Sequence, residues 1–554
     1  MPAPSPSRPN ARTMQYDRVP VPQVQRSSFD RNSSHKTTFD SGYLIPVYVD
    51  EILPGDTVSM SASFFGRLQT LEFPILDNIY FDTFWFYCPW RLLWTNFPRF
   101  LGAQDNPSSS IDYALPVMED GPEDTCTIVA GSIGDYFGLL VEELAAGDNP
   151  IAGPWRMYYR VWNEWFRDQN MQNSLTMEMG DGPEAITNYV LQKRGKRHDY
   201  ISSVLPSPQK GDAIPIPLGT EAPVIGDGSA IGFLGSTGVG TGHGYLGFRP
   251  DAGTGDAAAY FTDTNSAAGT TPPAGSTFTG NRSLGLATNA AASHVIADLS
   301  AAIGLDLNQL RESIALQHIL ERDARMGTRY TERIFGTFGV VVPDFTAQRP
   351  EYLGGSIDRV TLLQVPQMTA SPAVPTMADA KGALAAYAQL QAQSGFNRTF
   401  VEHGFIMCLA NVRADLNWQH RLDRMWTRET RYDIFDPALA HLGEQAVLNR
   451  EVWYDTADPQ GVFGYQERWG EMRSKMNIIS GKFRSEAAGT LDVYHLALDF
   501  DAQPDLNAAF IVDSPPLERV LSITTEPQVL MDAYFRCRHV RPMPIRSVPG
   551  LDRL

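Results

Sequence analysis

The placement of β-patterned sequence limits the fold more than any other feature of this chain. Runs with strand character lie near both ends and are separated by a long stretch that has too few large apolar residues for a core. Near the start, "YLIPVYVDEILPGDTVSMSASFFGRL" holds two apolar, β-branched runs around the turn Pro54-Gly55-Asp56. "NIYFDTFWFYCPW" follows, with Phe81, Trp85 and Tyr87 on one side and Tyr80, Phe84 and Phe86 on the other. Apolar residues at both parities predict a strand buried on two faces. "HGFIMCLANVRAD", "VYHLALDFDA", "AFIVDSP" and "DAYFRCRHV" read as further strands late in the chain. Between these groups, residues 205–300 are dominated by Gly, Ala, Thr and Pro, as in "GSTGVGTGHGYLGFRPDAGTGDAAAYFTDTNSAAGTTPPAG" from Gly235 to Gly275. A flexible linker between two domains is one reading of that stretch. An insertion thrown outward from a single fold is the better one, because the flanking strands look like halves of one architecture.

Two helices stand out between the strand groups. In "GPWRMYYRVWNEWFRDQN", Pro154 suits a first helical turn, and Trp155, Tyr158, Tyr159, Trp162, Trp165 and Phe166 recur at three- and four-residue spacing. That spacing predicts one broad aromatic stripe. "LDLNQLRESIALQHILERDARMG" opens with Asp306 and Gln309 at capping-box spacing and stops at Gly327. The first forty residues are rich in Pro, Ser and Arg without period, which predicts an arm with little structure of its own.

The chain has 554 residues and a formal net charge of −18, a balance unlike that of a freely diffusing nucleic-acid binder. The charge is uneven. From Met1 to Asp40, Lys and Arg outnumber Asp and Glu six to three, and from Ala533 onward five arginines face Asp552 alone. Cys88, Cys126, Cys408 and Cys537 are far apart, as expected of free thiols in a cytosolic product. No apolar run reaches membrane-spanning length, and the N-terminal residues lack the apolar core of a signal peptide, so no membrane insertion is expected.

Catalytic signatures are missing. "SGKFR" lacks the upstream glycine and the hydroxyl residue of a phosphate loop, and "GVGTGHGY" breaks the dinucleotide pattern at His243. In "VEHGF", Glu402 and His403 are strand neighbours pointing to opposite faces, so they do not share a metal. The acidic loop Glu119–Thr125 is a candidate for a divalent cation at a subunit interface, although solvated acidic turns are commoner; no other cofactor is expected.

Basic clusters carry more information. "QKRGKRHDY" gathers Lys193, Arg194, Lys196, Arg197 and His198, and "FRCRHVRPMPIR" gathers Arg536, Arg538, His539, Arg541 and Arg546. Such clusters contact phosphates or pair with acids at subunit and loop interfaces. With Arg8, Arg12, Arg18 and Arg26 of the arm, the C-terminal group forms the candidate DNA-binding set. "MWTRETRYDIFDPALAHLGEQAVLNREVWYD" and the following "FGYQERWGEM" are dense in residues enriched at binding hot spots. They nominate Trp426, Arg428, Arg431, Tyr432, Tyr465, Arg468 and Trp469 as subunit-interface candidates.

"SSFDRNSSHKTTFDSGYLIPVYVDEILPGDT", "FDTFWFYCPWRLLWTNFPRFLG", "YYRVWNEWFRDQN", "KRGKRHDY", "LPSPQKGD", "ERDARMGTRYTE", "QRPEYLGG", "VEHGFIMCLANVRAD", "RYDIFDPALAHLGEQAVLN", "FGYQERWGEMRSK" and "MPIRSVPGL" together resemble the major capsid proteins of the Microviridae, gokushovirus group. The matches run in order along nearly the whole chain; the Gly/Ala/Thr stretch departs most.

The resemblance implies a mainly β protein, an eight-stranded antiparallel jelly roll with long loop and helical insertions. Copies of it would form a T=1 icosahedral shell around a circular single-stranded DNA genome, without enzymatic activity. It also implies a layout. Residues 1–40 are a basic extended arm, 41–204 and 301–540 the two parts of the core, 205–300 a three-fold surface protrusion, and 541–554 a basic tail. The expected partners are identical subunits, the DNA genome, a minor virion protein such as a DNA pilot protein, a scaffolding protein during assembly and a host surface receptor. Assembly in the bacterial host cytoplasm would lead to the virion. Thr237, Val239, His243, Tyr245 and Thr271 are the attachment candidates on the protrusion. The competing reading is a jelly-roll carbohydrate-binding protein or glycoside hydrolase, with the aromatic runs as sugar platforms and a carboxylate pair that sequence alone does not single out.

Overall fold

A computed structural model describes residues 24–120, 125–145, 147–212, 214, 307–366 and 384–546, together with the backbone of six short strands between 224 and 297. The chain divides into two compact units, Met1–Lys210 with Glu321–Leu554, and Gly211–Leu320.

The larger unit is built on ten strands: β1 (Ser27–Asp30), β2 (Ser33–Phe39), β3 (Ile45–Ile52), β4 (Thr57–Leu68), β5 (Ile79–Pro89), β6 (Glu351–Arg359), β7 (Thr361–Pro366), β8 (Leu384–Thr399), β9 (Gly404–Ala414) and β10 (Val529–Arg541). The first sheet runs β1–β10–β4–β8–β7, with β2 also paired to β10, and the second runs β6–β5–β9–β3. All these pairings are antiparallel. Taking β1 and β7 as edge extensions of the first sheet, eight strands remain. The chain alternates between sheets from β2 to β5, adds β6 beside β5, and alternates again through β8, β9 and β10. That is the alternation a jelly roll requires.

Period-two patterning explains the layers. In β4, Val58, Met60, Ala62, Phe64 and Leu68 turn inward, while Ser59, Ser61, Ser63, Phe65 and Arg67 are exposed. The second sheet is apolar on both faces. Phe81 and Trp85 of β5, with Ile406, Cys408 and Val412 of β9, join Phe64 and Phe535 in the core between the sheets. Phe86 and Cys88, with Phe405, Met407 and Leu409, face a second core on the other side. The two-faced strand predicted from its sequence is therefore central in its sheet.

The second core is capped by helix α1 (Gly153–Val161), which continues through Phe166 as a wider π turn. The sequence suggested an aromatic stripe; instead Trp155, Arg156, Met157, Tyr158, Tyr159 and Val161 are all buried, so the helix is enclosed. Its polar groups are met internally. Arg156 pairs with Glu184 and donates to the carbonyls of Leu93 and Gly180, both at 2.9 Å, and the Tyr158 hydroxyl donates to the Leu44 carbonyl at 2.9 Å. Gly153 is required by close approach, because a Cβ there would lie 2.6 Å from the Phe405 ring and 2.7 Å from Trp90. Helix α2 (Leu307–Arg325) ends before Gly327 (φ 91°), and helix α3 (Tyr330–Phe338) ends at a left-handed Gly339. The proposed cap Asp306 lies outside the described residues.

Three expectations are corrected. Residues 27–39 are not a structureless arm, since β1 and β2 pair with successive halves of β10. "AFIVDSP" holds a short helix, Ala508–Ile511, because the Asn507 side chain accepts from the Phe510 N–H at 3.0 Å and caps it. "VYHLALDFDA" contributes one helical turn, Asp492–Tyr494, and a bridge between Leu498 and Trp418 rather than a strand. Phe510 and Ile511 pack with Trp418 and Phe463 in a third, smaller core. Those apolar residues satisfy burial without a ladder.

In the smaller unit, the Gly/Ala/Thr-rich sequence pairs as short antiparallel strands. Val224–Gly226 runs against Val295–Ala297. A four-stranded set orders Tyr260–Phe261, Gly244–Gly247, Gly232–Leu234 and Gly285–Leu286.

Candidate assembly and nucleic-acid interfaces

The first sheet leaves its outer face bare, and β10 decides which candidate arginines reach it. Strand alternation sends Tyr534, Arg536 and Arg538 outward and Phe535, Cys537 and His539 inward. Arg538 Nε donates to Ser28 Oγ at 3.1 Å, Arg536 is exposed, and Arg546 beyond the strand is exposed as well. His539 is a different case. It is fully buried, with Nε2 2.9 Å from Asp56 Oδ2, and Arg31 Nη1 lies 3.2 Å from its Nδ1. Burial first, and then Arg541 beside it, hold its pKa below the ordinary histidine value against the pull of Asp56. Arg541 donates to the same Asp56 oxygen at 3.0 Å and to the Glu51 carbonyl. Both residues are thus part of a lock that ties the end of β10 to the turn before β4; full burial corrects the assignment of His539 as a DNA contact, whereas the Arg541 side chain stays 15% exposed. Arg26 closes the same corner, donating to the Gly55 carbonyl at 2.7 Å and Thr57 Oγ1 at 2.8 Å. Arg8, Arg12 and Arg18 lie outside the described residues.

The interface candidates also divide. Trp426 is 72% exposed and Tyr432 62% exposed, with Arg431 5.3 Å above the Tyr432 ring. Arg428 reaches Glu471 at 3.6 Å. Tyr465 is held by its backbone, which exchanges hydrogen bonds with Leu205 at 2.7 and 2.8 Å. Trp469 is a correction: it is only 5% exposed, packs edge-on against Phe435 at 5.6 Å, and has Arg468 5.4 Å over its ring. The sequence reading missed the apolar residues beside these anchors. Met425, Ile434, Phe435 and Leu442 are exposed, making the segment from Met425 to Leu442 a patch of aromatic and aliphatic groups in water. A second apolar surface runs through Tyr330, Phe335 and Phe338 of α3 to Val341 and Phe345. Apolar side chains set among the Asp, Pro and Gly of "RYDIFDPALAHLG" were the available signal.

Thr237, Val239, His243 and Thr271 lie outside the described residues, and Tyr245 sits opposite Gly232 in a short strand pair. Of the acidic loop, 121–124 lie outside them too. Among the described residues there is no metal-binding cluster of His, Cys, Asp and Glu, and no helix is long and apolar enough to cross a membrane. The four cysteines are buried and unpaired.

A two-sheet sandwich that keeps aromatic and aliphatic groups exposed on its loops defines a protein that works by its surfaces, a subunit made for assembly. Residues 17–551 match the capsid protein (F protein) family, and the chain belongs to it. It is 38% identical over 553 residues to capsid protein VP1 of Bdellovibrio phage phiMH2K, covering 97% of each chain. It is 37% identical to capsid protein VP1 of Chlamydia phage 1 and 31% identical to that of Spiroplasma virus 4, each over 99% of both chains. These are Microviridae, and the chain is a structural, non-enzymatic capsid protein of the virion that assembles into a multimeric shell.

Proposed function

We propose that this chain is the major capsid protein that self-assembles into a T=1 icosahedral shell enclosing a circular single-stranded DNA genome. The observation carrying this reading is the exposed apolar segment around Trp426, Tyr432 and Ile434, which a lone soluble chain would leave in water. A neighbouring copy buries it, and a closed ring of such contacts repays each subunit. The double substitution Trp426→Ser with Ile434→Ser is expected to leave far-ultraviolet circular dichroism unchanged while particles disappear from sedimentation and negative-stain images. Normal particle yield from the double variant overturns the assignment of that surface.

The Gly/Ala/Thr-rich insertion serves attachment to a host surface receptor in this reading, with the assembled particle formed in the bacterial cytoplasm. A scaffolding protein and a minor virion protein such as a DNA pilot protein complete the set of partners. The insertion's composition and its setting in a separate unit of the chain support the attachment role. Deleting residues 235–275 should give particles that assemble and no longer adsorb to host cells. Adsorption equal to that of the intact chain rules the role out.

A further inference from the structure

The exposed Met425–Leu442 segment is tied to the hairpin of Glu444–Leu448 and Val462–Glu467 and to the turn after it. Arg424 donates to the Ala446 carbonyl at 2.9 Å, Arg428 Nη2 lies 3.6 Å from Glu471, and Phe435 packs edge-on against Trp469. Donors are in surplus at this junction. Trp469 Nε1, Arg468 Nε and Arg428 Nε are all buried without a hydrogen-bond partner. Trp469 is also held at φ 64°, a left-handed conformation that residues with side chains seldom adopt.

The carboxylates nearby are already engaged. Glu471 accepts from Gln445 Nε2 at 2.7 Å besides facing Arg428, and Glu467 serves both Arg325 and Arg473. Glu444, one residue before Gln445 and so on the other face of the hairpin, is taken by Arg325. Glu451 accepts from the Tyr200 hydroxyl at 3.0 Å and from the Leu448 N–H at 3.1 Å. Arg468, 5.4 Å over the Trp469 ring, is left with no ion pair among the described residues. An acceptor is missing, and the apolar surroundings call for it to arrive on a protein surface. Taking about 200 Å² per ring, Trp426, Tyr432 and Phe435 keep about 350 Å² in water, a large share of the roughly 800 Å² that one side of a standard interface buries.

The same chain carries a surface of the opposite chemistry. Leu140 and Val141 are 67% and 47% exposed, and the adjoining Glu142 and Glu143 are exposed with no ion pair among the described residues. This edge is firmly placed. Glu143–Leu144 pairs with Cys126–Thr127, and the Ile128 N–H donates to the Glu142 carbonyl at 3.1 Å. The two surfaces sit on different cores. The edge is anchored in the second core through Ile128 and Ile133, the hairpin in the third through Val447 and Phe463. Two complementary surfaces placed apart on one chain let copies meet head to tail, and repeating that contact closes a ring.

We propose that the Leu140–Glu143 edge of a neighbouring copy docks on the Met425–Leu442 patch. Leu140 and Val141 cover Trp426 and Phe435, and the two carboxylates meet Arg468 and Arg428. The proposal rests on reading that patch as a subunit interface, and it names the surface that fills it. Self-pairing of the patch would set arginine against arginine and supply no acceptor, whereas the acidic edge satisfies the guanidiniums and the apolar groups together.

The test uses the full-length chain and counts particles by sedimentation and negative-stain microscopy. Glu142→Lys with Glu143→Lys, and separately Arg468→Glu, should leave far-ultraviolet circular dichroism unchanged and lower particle yield about 10-fold, because like charges then face each other across the contact. A chain carrying all three substitutions should recover most of that loss, which a merely misfolded variant would not do. Crosslinking gives a readout that needs no charge change. The four native cysteines are buried, so a short bis-maleimide reaches only introduced thiols. In assembled particles, Val141→Cys with Met425→Cys should yield a ladder of covalent dimers and larger oligomers, since each copy is joined to two neighbours. Either cysteine alone should leave monomers.

Parent-like particle yield from both folded charge variants overturns the proposal, as does a triple variant that assembles no better than the single changes. Dimers from Met425→Cys alone overturn it too, because the patch then meets its own copy across a two-fold axis. So does a ladder missing from particles of the double-cysteine chain. If Trp426→Ser with Ile434→Ser abolishes particles while the charge variants assemble normally, the patch is an interface and another segment fills it, so the proposal falls and the interface reading stands. If that double serine variant assembles normally, the interface reading falls and the proposal falls with it.

Discussion

Asp513 lies among Lys196, Arg413, Arg194 and Arg197, yet its carboxyl is pushed up to about 6. Burial is the larger influence: the residue is 3% exposed, and losing water costs the charged form more than four nearby cations return. Because the folded value lies above the unfolded one, the native state holds the proton more tightly. The stabilisation is complete below about pH 4 and is lost as pH rises through about 6. Asp513→Asn fixes the neutral form. The unassembled parent chain should therefore lose about 1–3 kcal/mol of stability relative to Asp513→Asn between pH 4 and 7. Urea unfolding across that range checks it, and parallel curves for the two proteins would show that the carboxyl titrates normally. None of this was visible in the sequence, where Asp513 is one acid in "AFIVDSP", far from all four of these neighbours.

At the scale of elements, legibility followed the strength of the side-chain pattern. β4 and β5 could be read directly because large apolar residues mark their faces. β8 has equally regular alternation, with Ala386, Ala388, Leu390 and Ala392 inward and Tyr387, Gln389, Gln391 and Gln393 outward. Yet Ala, Leu and Gln are good helix formers, and the strand is fixed by its ladder to β4, from Gln389–Arg67 to Thr399–Thr57. β2 was equally opaque, since an edge strand with a solvated face can be almost wholly polar. The opposite error occurred at Ala508–Ile511, where a short apolar run fits a strand and a buried helical turn alike. The interface candidates show the same division. Trp426 and Tyr432 were legible as hot-spot residue types in a loop without period. Trp469 has the same chemistry but is buried by Phe435, a contact that composition does not encode. His539 looked like part of a basic tail because its partner Asp56 lies 483 residues earlier.

At the scale of the whole molecule, the two sheets have unequal outer faces, and this sorts the arginines of β10. The second sheet is covered by the core beneath α1, whereas the first exposes Ser59, Ser61 and Ser63 beside Arg538, Arg536 and Tyr534 in register. On the proposed genome-enclosing reading one surface of the subunit meets the DNA, and a bare face of small polar residues with outward guanidiniums would let a phosphate backbone approach closely. Arg536→Gln with Arg538→Gln should therefore reduce encapsidated DNA severalfold, while the unfolding free energy of the subunit stays within about 0.5 kcal/mol. His539→Ala should do the reverse. It leaves the buried Asp56 short of a donor, costing about 2–4 kcal/mol, while any subunits that still fold keep their outward arginines and package normally. DNA content per particle and urea unfolding, measured on both proteins, separate the two roles. If the arginine pair packages like the parent chain, the genome lies against a different surface and the bare face belongs to another contact. If His539→Ala lowers DNA content without lowering stability, the buried lock takes part in packaging after all, and the inward–outward division of β10 does not sort function.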